Sequence, residues 1–263
     1  MSFQAGAVAG PRGDPSPMVI PQAVWRADAL AAADEPTIST GLPALDAVLP
    51  GGGWPVGALT ELLQARPHQA VWRLLAPGLA RTLALQAGPV LLVAPPQPVC
   101  VPGLAGRGLP AHRWLWVQAD APAARLWAAE QALRCAEVAA VLAWLPQAAP
   151  ADLRRLQLVA QRHRQLLFVL RPLSAREQAS PARLRLALEE GEGPARALRV
   201  QVLKRRGPPL VSPVLLPPQH GLLARLLQAR AEASHREEPG PLRPKPRDEQ
   251  ADGLDRAATR LAG

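Results

Sequence analysis

Short apolar runs alternate with amphipathic helical patterns from Ile38 onward, and this alternation constrains the fold of the 263-residue chain more than any other feature. A brief apolar run bounded by Gly, Pro or polar residues is typical of a strand that is buried on both faces. Alternation of such runs with helices predicts an α/β fold whose mostly parallel, twisted sheet is flanked by helices. The predicted strands are Leu59–Leu63, Val90–Ala94, Trp114–Val117, Val138–Leu142 and Leu166–Leu170, followed by a hairpin of Leu184–Leu188 and Ala197–Leu203 at the sheet edge. The predicted helices are Val71–Ala87, Ala123–Ala136 and Ala151–Arg164.

Composition divides the chain into three parts. Residues 1–35 are rich in Gly, Pro and Ser and predict a flexible N-terminal arm with one short helix. Residues 36–217 carry the alternating pattern and predict one core domain. Residues 218–263 predict a helix followed by a disordered, charged and Pro-rich C-terminal tail. The predicted helices of the two outer parts are Pro21–Ala33 and Gly221–Ala233, and the predicted disordered stretch is Glu237–Gln250.

Several classes of protein are excluded by what the sequence lacks. No apolar run is long enough to span a bilayer, so we expect a cytoplasmic protein that does not contact membrane. The two cysteines, Cys100 and Cys135, are far apart and form no Cys-x-x-Cys pair, which predicts two buried thiols rather than a disulfide framework. The five histidines are scattered and never have the spacing of helical metal ligands, so we expect no metal site.

The formal charge of +9 is concentrated in the core, where residues 36–217 hold 20 of the 30 basic and 10 of the 21 acidic residues. The tight basic cluster Lys204-Arg205-Arg206 follows a predicted strand, and Arg154 and Arg155 give one predicted helix a basic face. These five residues are candidate contacts for nucleic acid phosphates or an acidic partner, and any DNA contact is expected to be weak and non-specific. The competing interpretation is a solvated strand end and a solvated helix face.

Tryptophan is the main aromatic residue, with seven copies beside two Phe and no Tyr. A base-stacking platform is one interpretation of so many indoles. We favour core packing, because the chain has few other large aromatic side chains to fill its interior.

The segment from Ile38 to Leu63 is the most informative part of the sequence. It reads ISTGLPALDAVLPGGGWPVGALTELL and holds Ser-Thr-Gly, Leu-Asp, three consecutive glycines and Pro-x-Gly before a strand. This order resembles the beginning of the ATPase core of RecA-type recombinases. With Trp25-Arg26-Ala27 and the later Ala143–Pro146, reading Ala-Trp-Leu-Pro, the chain resembles the ImuA family, RecA-like proteins of bacterial damage-induced mutagenesis cassettes. The resemblance covers roughly residues 21–217.

The glycine string has a physical interpretation that does not depend on the family. Three consecutive glycines, Gly51–Gly53, permit positive φ and close backbone approach, which predicts a tight turn that leads into the first core strand. A phosphate-binding loop is the functional alternative. That loop must follow a strand and end in Gly-Lys-Ser/Thr, whereas these glycines precede the strand.

The residues that phosphoryl transfer requires are missing where the resemblance would put them. Ala70 stands in the place of the phosphate-binding lysine, and Val71 in that of the magnesium-binding hydroxyl. Pro95 replaces a water-activating glutamate, and the stretch 143–146 contains no aspartate for magnesium. We therefore expect no catalytic residue and no cofactor, with apolar and aromatic side chains filling this end of the sheet. A divergent ATPase that uses Arg66 as its cation is the enzymatic alternative.

The resemblance implies an accessory role in SOS-induced translesion DNA synthesis. The implied partners are an ImuB-like inactive Y-family polymerase homologue and a C-family error-prone polymerase, with RecA as a further candidate. A SulA-like cell-division inhibitor is the alternative, because that family also resembles an ATP-free RecA core. In the tail, Leu254, Ala258 and Leu261 have i, i+4, i+7 spacing and are candidate partner-docking residues, the alternative being a frayed end with accidental spacing.

Overall fold

The fold is built on an eight-stranded mixed sheet. The computed structural model describes residues 36–66, 70–191 and 197–217. In chain order the elements are β1 Thr37–Ile38, α1 Pro43–Asp46, β2 Trp54–Pro55, β3 Ala58–Gln64, α2 Ala70–Leu85, β4 Val90–Val93, α3 Val101–Ala105, β5 Trp114–Val117, α4 Pro122–Arg134, β6 Ala140–Trp144, α5 Pro150–His163, β7 Leu166–Pro172, β8 Leu184–Glu190, β9 Leu198–Lys204 and β10 Val214–Leu216. Within these three ranges, no helix is both long and apolar enough to cross a membrane.

The strand order across the sheet is β10-β9-β8-β3-β7-β6-β4-β5, and β1 pairs separately with β2. Strands β3 to β8 are mutually parallel, while β9 runs antiparallel to both β8 and β10. The predicted α/β class and mostly parallel sheet are thus confirmed. The predicted hairpin exists as β8 and β9, but its placement at the sheet edge was wrong. β8 pairs with β3, and the three-residue β10 forms that edge; a strand so short has too few residues for its alternation to be recognised.

Helices cover both faces of the sheet, and the alternation of side chains along each strand supplies a core to each face. On one face, Leu62 and Phe168 pack against α2 through Leu74 and Leu79. On the other, residues such as Leu59 and Val169 pack against α4 and α5. Such strands must be apolar on both sides, which is why their sequences read as continuous apolar runs.

Several predicted bounds differ from those of the structure by one or two residues. In β6, for example, the sequence predicts a strand that begins at Val138, and the structure begins it at Ala140. The Ala139 N–H donates to the Pro89 carbonyl at 2.8 Å, so the chain enters the ladder with β4 only after residue 139. Pro122 and Pro150 occupy the first turns of α4 and α5, where a missing N–H breaks no helical hydrogen bond.

Two predictions about burial were wrong. Cys100 and Cys135 are exposed rather than buried, because both lie in connections just outside helices. Trp116 and Trp127 are also exposed, at 42% and 64%, since β5 is an edge strand and Trp127 lies on the solvent side of α4. Trp54 and Trp144 are core residues as predicted, Trp72 and Trp114 are half-buried, and Trp25 lies outside the described residues.

Residues 1–35 and 218–263 lie outside the described part of the chain. The predictions of an arm, of a tail, and of partner docking by Leu254, Ala258 and Leu261 fall there and stay predictions.

Candidate functional site

The Ser-Thr-Gly triplet and the Leu-Asp pair of segment 38–63 form a local hydrogen-bond network. The Ser39 hydroxyl donates to Asp46 Oδ2 at 2.6 Å, and the Thr40 N–H donates to Asp46 Oδ1 at 2.8 Å. The Ser39 Oγ also accepts from the Gly41 N–H at 3.1 Å. Asp46 therefore fixes the conformation of the connection between β1 and α1, so these motif residues have a structural role.

Helix α2 comes unusually close to this segment because small residues face it. A Cβ on Gly41, whose φ is +74°, would lie 2.6 Å from the Pro77 Cβ, and a Cβ on Gly78 would lie 2.7 Å from the Trp54 indole nitrogen. Trp54 then meets Phe168 edge to face, with ring centroids 5.3 Å apart. The segment is thereby anchored in the core.

The glycine string forms the tight turn that the sequence predicts. Gly51 and Gly52 have φ near +70°, and the Gly51 carbonyl accepts from the Thr37 hydroxyl at 2.6 Å. A Cβ on Gly53 would lie 2.3 Å from the carbonyl oxygen of Ile38, so β1 and β2 can approach each other only if this residue is glycine.

Beside this turn lies a cavity of about 490 Å³, which we call the basic groove. The described residues that line it include four cations and no carboxylate, so its potential is positive. Its lining residues are Thr37, Pro50, Gly53, Pro55, Pro181, Ala182, Arg183, Leu184, Lys204, Arg205 and Arg206.

Sequence reasoning found three of these cations and missed Arg183. Arg183 directly precedes β8, and Lys204 at the end of β9 pairs with Arg185 in the β8–β9 ladder. The hairpin therefore brings Arg183 close to Lys204. The hairpin was predicted, but its register was not, and the register is what would have identified Arg183.

Backbone carbonyls hold two of the groove cations in place. Lys204 Nζ donates to the Ser180 carbonyl at 3.0 Å, and Arg205 donates to the carbonyls of Pro208, at 2.9 Å, and Val48. A carbonyl orients a cation without neutralising it. Lys204 and Arg206 are exposed and Arg205 is half-buried, so the charge of the groove is open to solvent.

Arg154 and Arg155 lie on a different element, α5, and do not line the basic groove. Both are exposed. Arg155 Nε lies 3.0 Å from Glu130 Oε2, and Arg134 lies 2.6 Å from the other oxygen of the same carboxylate. The charge of Arg155 is therefore partly compensated by a contact that joins α4 to α5.

A second cavity, of about 530 Å³, lies at the carboxyl ends of β3, β4, β6 and β7, and we call it the crest cavity. In open α/β sheets this is where ligands usually bind. It is lined by Gln64, Ala65, Ala94, Pro95, Pro96, Gln118, Ala119, Asp120, Arg125, Trp144, Pro146, Leu170, Arg171 and Pro172. Val71 is buried in the core at the start of α2 and offers no oxygen for a metal ion.

The sequence predicts that apolar and aromatic side chains fill this end of the sheet, and this prediction is only partly right, because polar and charged side chains also line the cavity. Arg171, which lines this cavity, is a buried charged side chain, and it belongs to a cluster of three buried charges. Arg171 on β7 lies 2.8 Å from one Glu61 oxygen, and Arg185 on β8 lies 2.6 Å from the other. Arg171 also donates to the Ala148 carbonyl and the Gln178 side chain, while Arg185 donates to carbonyls of residues 175 and 176. We call Glu61, Arg171 and Arg185 the buried triad.

The described residues contain no group of three His, Cys, Asp or Glu side chains that could hold a metal ion.

Comparison with known proteins identifies relatives of two kinds. ImuA of Caulobacter vibrioides is 35% identical over 157 residues, which cover 56% of this chain and 62% of ImuA. SulA of Yersinia pestis, the cell division inhibitor, is 30% identical over 118 residues, which cover 45% of this chain and 70% of SulA. The chain belongs to the family of SulA, and it is also similar to ImuA. The predicted resemblance to ImuA is thereby confirmed.

These matches cover only part of this chain and part of each relative. The match spans less than two thirds of the length of ImuA. SulA of Yersinia pseudotuberculosis matches to the same extent as the Yersinia pestis protein. No protein-family model matches the sequence.

Proposed function

We propose that this chain is a non-catalytic, RecA-like accessory protein of SOS-induced translesion DNA synthesis that acts in the cytoplasm. The observation that carries the proposal is the 35% identity to ImuA, since this match covers more of the chain than the SulA match does. Its function would be to bring together an ImuB-like inactive Y-family polymerase homologue and a C-family error-prone polymerase, with RecA as a third candidate partner.

The residues around the crest cavity support a non-catalytic role. Phosphoryl transfer depends on positioned positive charge, a metal-binding oxygen and a water-orienting base. Here Val71 is a buried hydrocarbon, Pro95 follows β4, and Trp144 ends β6. Arg171, the buried cation at this cavity, is already paired with Glu61. A RecA-like core without this chemistry still offers surfaces on which other proteins can dock.

The basic groove supports a weak contact with DNA. Lys204 and Arg206 are exposed cations of its lining, and exposed cations attract the phosphates of nucleic acid whatever its sequence. Lys204→Ala/Arg206→Ala should therefore weaken binding to single-stranded DNA and reduce the slope of log affinity against log salt by about 1.4. Arg154→Ala/Arg155→Ala is the matched control, with the same change in charge on α5. If only the control pair lost affinity, the contact would lie on α5.

Affinity purification of the full-length chain from DNA-damaged cells tests the proposed partners. Recovery of the ImuB-like and C-family polymerases supports the accessory role. Removal of residues 218–263, which include Leu254, Ala258 and Leu261, should reduce capture of the ImuB-like partner and leave the cooperative unfolding of the core unchanged. Undiminished capture by the truncated chain would assign docking to the core.

A SulA-like inhibitor of cell division is the second candidate, favoured by the 70% coverage of SulA. Filamentation of cells on overexpression, with recovery of the division-ring protein and no polymerase, would select this function over the first.

A further inference from the structure

The described part of the chain begins at the edge of the basic groove. The Pro36 carbonyl accepts a hydrogen bond from the Val56 N–H at 2.9 Å. The Thr37 hydroxyl donates to the Gly51 carbonyl at 2.6 Å, and Thr37 pairs with Pro55 between β1 and β2. Both Thr37 and Pro55 line the groove. These contacts fix, beside the groove, the point at which the preceding part of the chain enters the fold.

Two carboxylates directly precede this fixed point, because the sequence there reads Asp34-Glu35-Pro36-Thr37. We call Asp34 and Glu35 the acidic pair. A chain spans at most about 3.6 Å per residue, so the Cα atoms of Glu35 and Asp34 lie within roughly 7 Å and 11 Å of the Thr37 Cα. Both carboxylates are therefore tethered beside a groove whose described lining contains four cations and no carboxylate.

The charge of the groove is complementary to that of the acidic pair. Arg183, Lys204 and Arg206 are exposed, so an anion reaches their charges from solvent. An exposed ion pair between two free molecules contributes little, because ordering the partners opposes the attraction. A short tether removes much of this cost by holding the carboxylates at a high effective concentration beside the cations. The acidic pair is thus a strong competitor for any anion that approaches the groove from solution.

We propose that the acidic pair occupies the basic groove and competes with the phosphates of nucleic acid for its exposed cations. In this arrangement the extended chain of β1 continues back to Glu35, whose side chain then lies on the same side as that of Thr37, which lines the groove. Nucleic acid must displace the two carboxylates before its phosphates reach the cations, so the acidic pair lowers the affinity of the groove for DNA. This effect on affinity rests on the proposed DNA contact, whereas the contact within the chain requires no DNA.

Fluorescence anisotropy titration of a labelled single-stranded DNA oligonucleotide with the full-length chain tests the proposal. We expect Asp34→Asn/Glu35→Gln to bind the oligonucleotide about tenfold more tightly, since two ion pairs no longer oppose the phosphates. Asp120→Asn/Glu137→Gln is the matched control, because it makes the same change in charge at two exposed carboxylates beside β5 and β6, away from β8 and β9. Salt screens these distant charges, so the control should gain less than about twofold in affinity. An equal gain in both variants would show an effect of net charge alone and would overturn the proposal.

A measurement without DNA separates this proposal from the proposed DNA contact. In the nitrogen-labelled full-length chain, Asp34→Asn/Glu35→Gln should shift the guanidinium Nε–H resonances of Arg183 and Arg206, and the control variant should leave them in place. Such shifts in a chain that binds no DNA would support occupation of the groove by the acidic pair and count against the DNA contact alone. The proposal is overturned if these resonances do not move, or if DNA binds and the acidic-pair variant binds it no more tightly than the unaltered chain.

Discussion

Arg185 Nε lies 2.6 Å from Glu61 Oε2, and the two residues are direct neighbours across the parallel strands β8 and β3. The Glu61 side chain is fully buried, and Arg171 approaches its other oxygen from β7. One carboxylate thus joins three adjacent strands through charged hydrogen bonds. Such a contact is costly to break, because the charges left behind have no access to water.

Glu61→Gln should lower the free energy of unfolding by about 3–5 kcal/mol, since it leaves two buried guanidinium groups without their counter-charge. Urea unfolding followed by circular dichroism measures the change. Glu130→Gln is the control, because Glu130 pairs with Arg134 and Arg155, whose side chains are about half exposed, and its loss should cost less than about 1 kcal/mol. Equal losses in the two variants would argue against a structural role for the buried triad.

Gly53→Ala should destabilise the chain by about 3 kcal/mol, because the new Cβ would meet the Ile38 carbonyl oxygen and push β1 away from β2. Gly52→Ala has open space around its Cβ and bears only the strain of φ +71°, about 1 kcal/mol. Thermal unfolding of the two variants side by side measures the difference. The reverse order of stabilities would contradict the close approach seen at Gly53.

Asp46→Ala should cost about 2–3 kcal/mol, since it removes the acceptor for both the Ser39 hydroxyl and the Thr40 N–H. Asp152→Ala is a suitable comparison, because Asp152 accepts one exposed hydrogen bond, from the Ala149 N–H, and its loss should cost about 1 kcal/mol. Chemical denaturation gives both values. A smaller effect at position 46 than at position 152 would mean that the network contributes little.

Ala70→Lys should not produce ATP hydrolysis, even though it restores the lysine that the RecA-like resemblance requires at this position. Val71 would still provide no metal-binding oxygen, and Pro95 and Trp144 would still leave water and magnesium unplaced. A phosphate-release assay with Mg-ATP, run beside the unaltered chain, checks this. Turnover by the variant above that baseline would show that the remaining residues suffice for catalysis.

The sequence predicted the six parallel strands and three long helices well because their patterns are local. A strand buried on both faces and an amphipathic helix are each recognisable within a short window, as β6 and α5 illustrate. The strands β1, β2 and β10 were missed because two or three residues cannot display a period.

The candidate sites depend on information that no local pattern holds. Glu61 contacts Arg171 and Arg185 across 110 and 124 residues of sequence, so the buried triad exists only once the strand order is known. Arg183 can likewise be assigned to the basic groove only when the β8–β9 register is known. The prediction for Cys100 and Cys135 failed for a different reason. Cysteine side chains are usually buried, but these two lie in connections between elements and are exposed.

The position of Glu61 also has a consequence for the order in which the chain can fold during synthesis. Its carboxylate enters the core with β3, near the beginning of the described chain, but Arg171 and Arg185 leave the ribosome more than a hundred residues later. Until β7 emerges with Arg171, a collapsed sheet would bury this carboxylate without a counter-charge, so the nascent chain gains little by closing early. We therefore expect the final docking of β3 to follow the synthesis of β7 and β8, the strands on both of its sides.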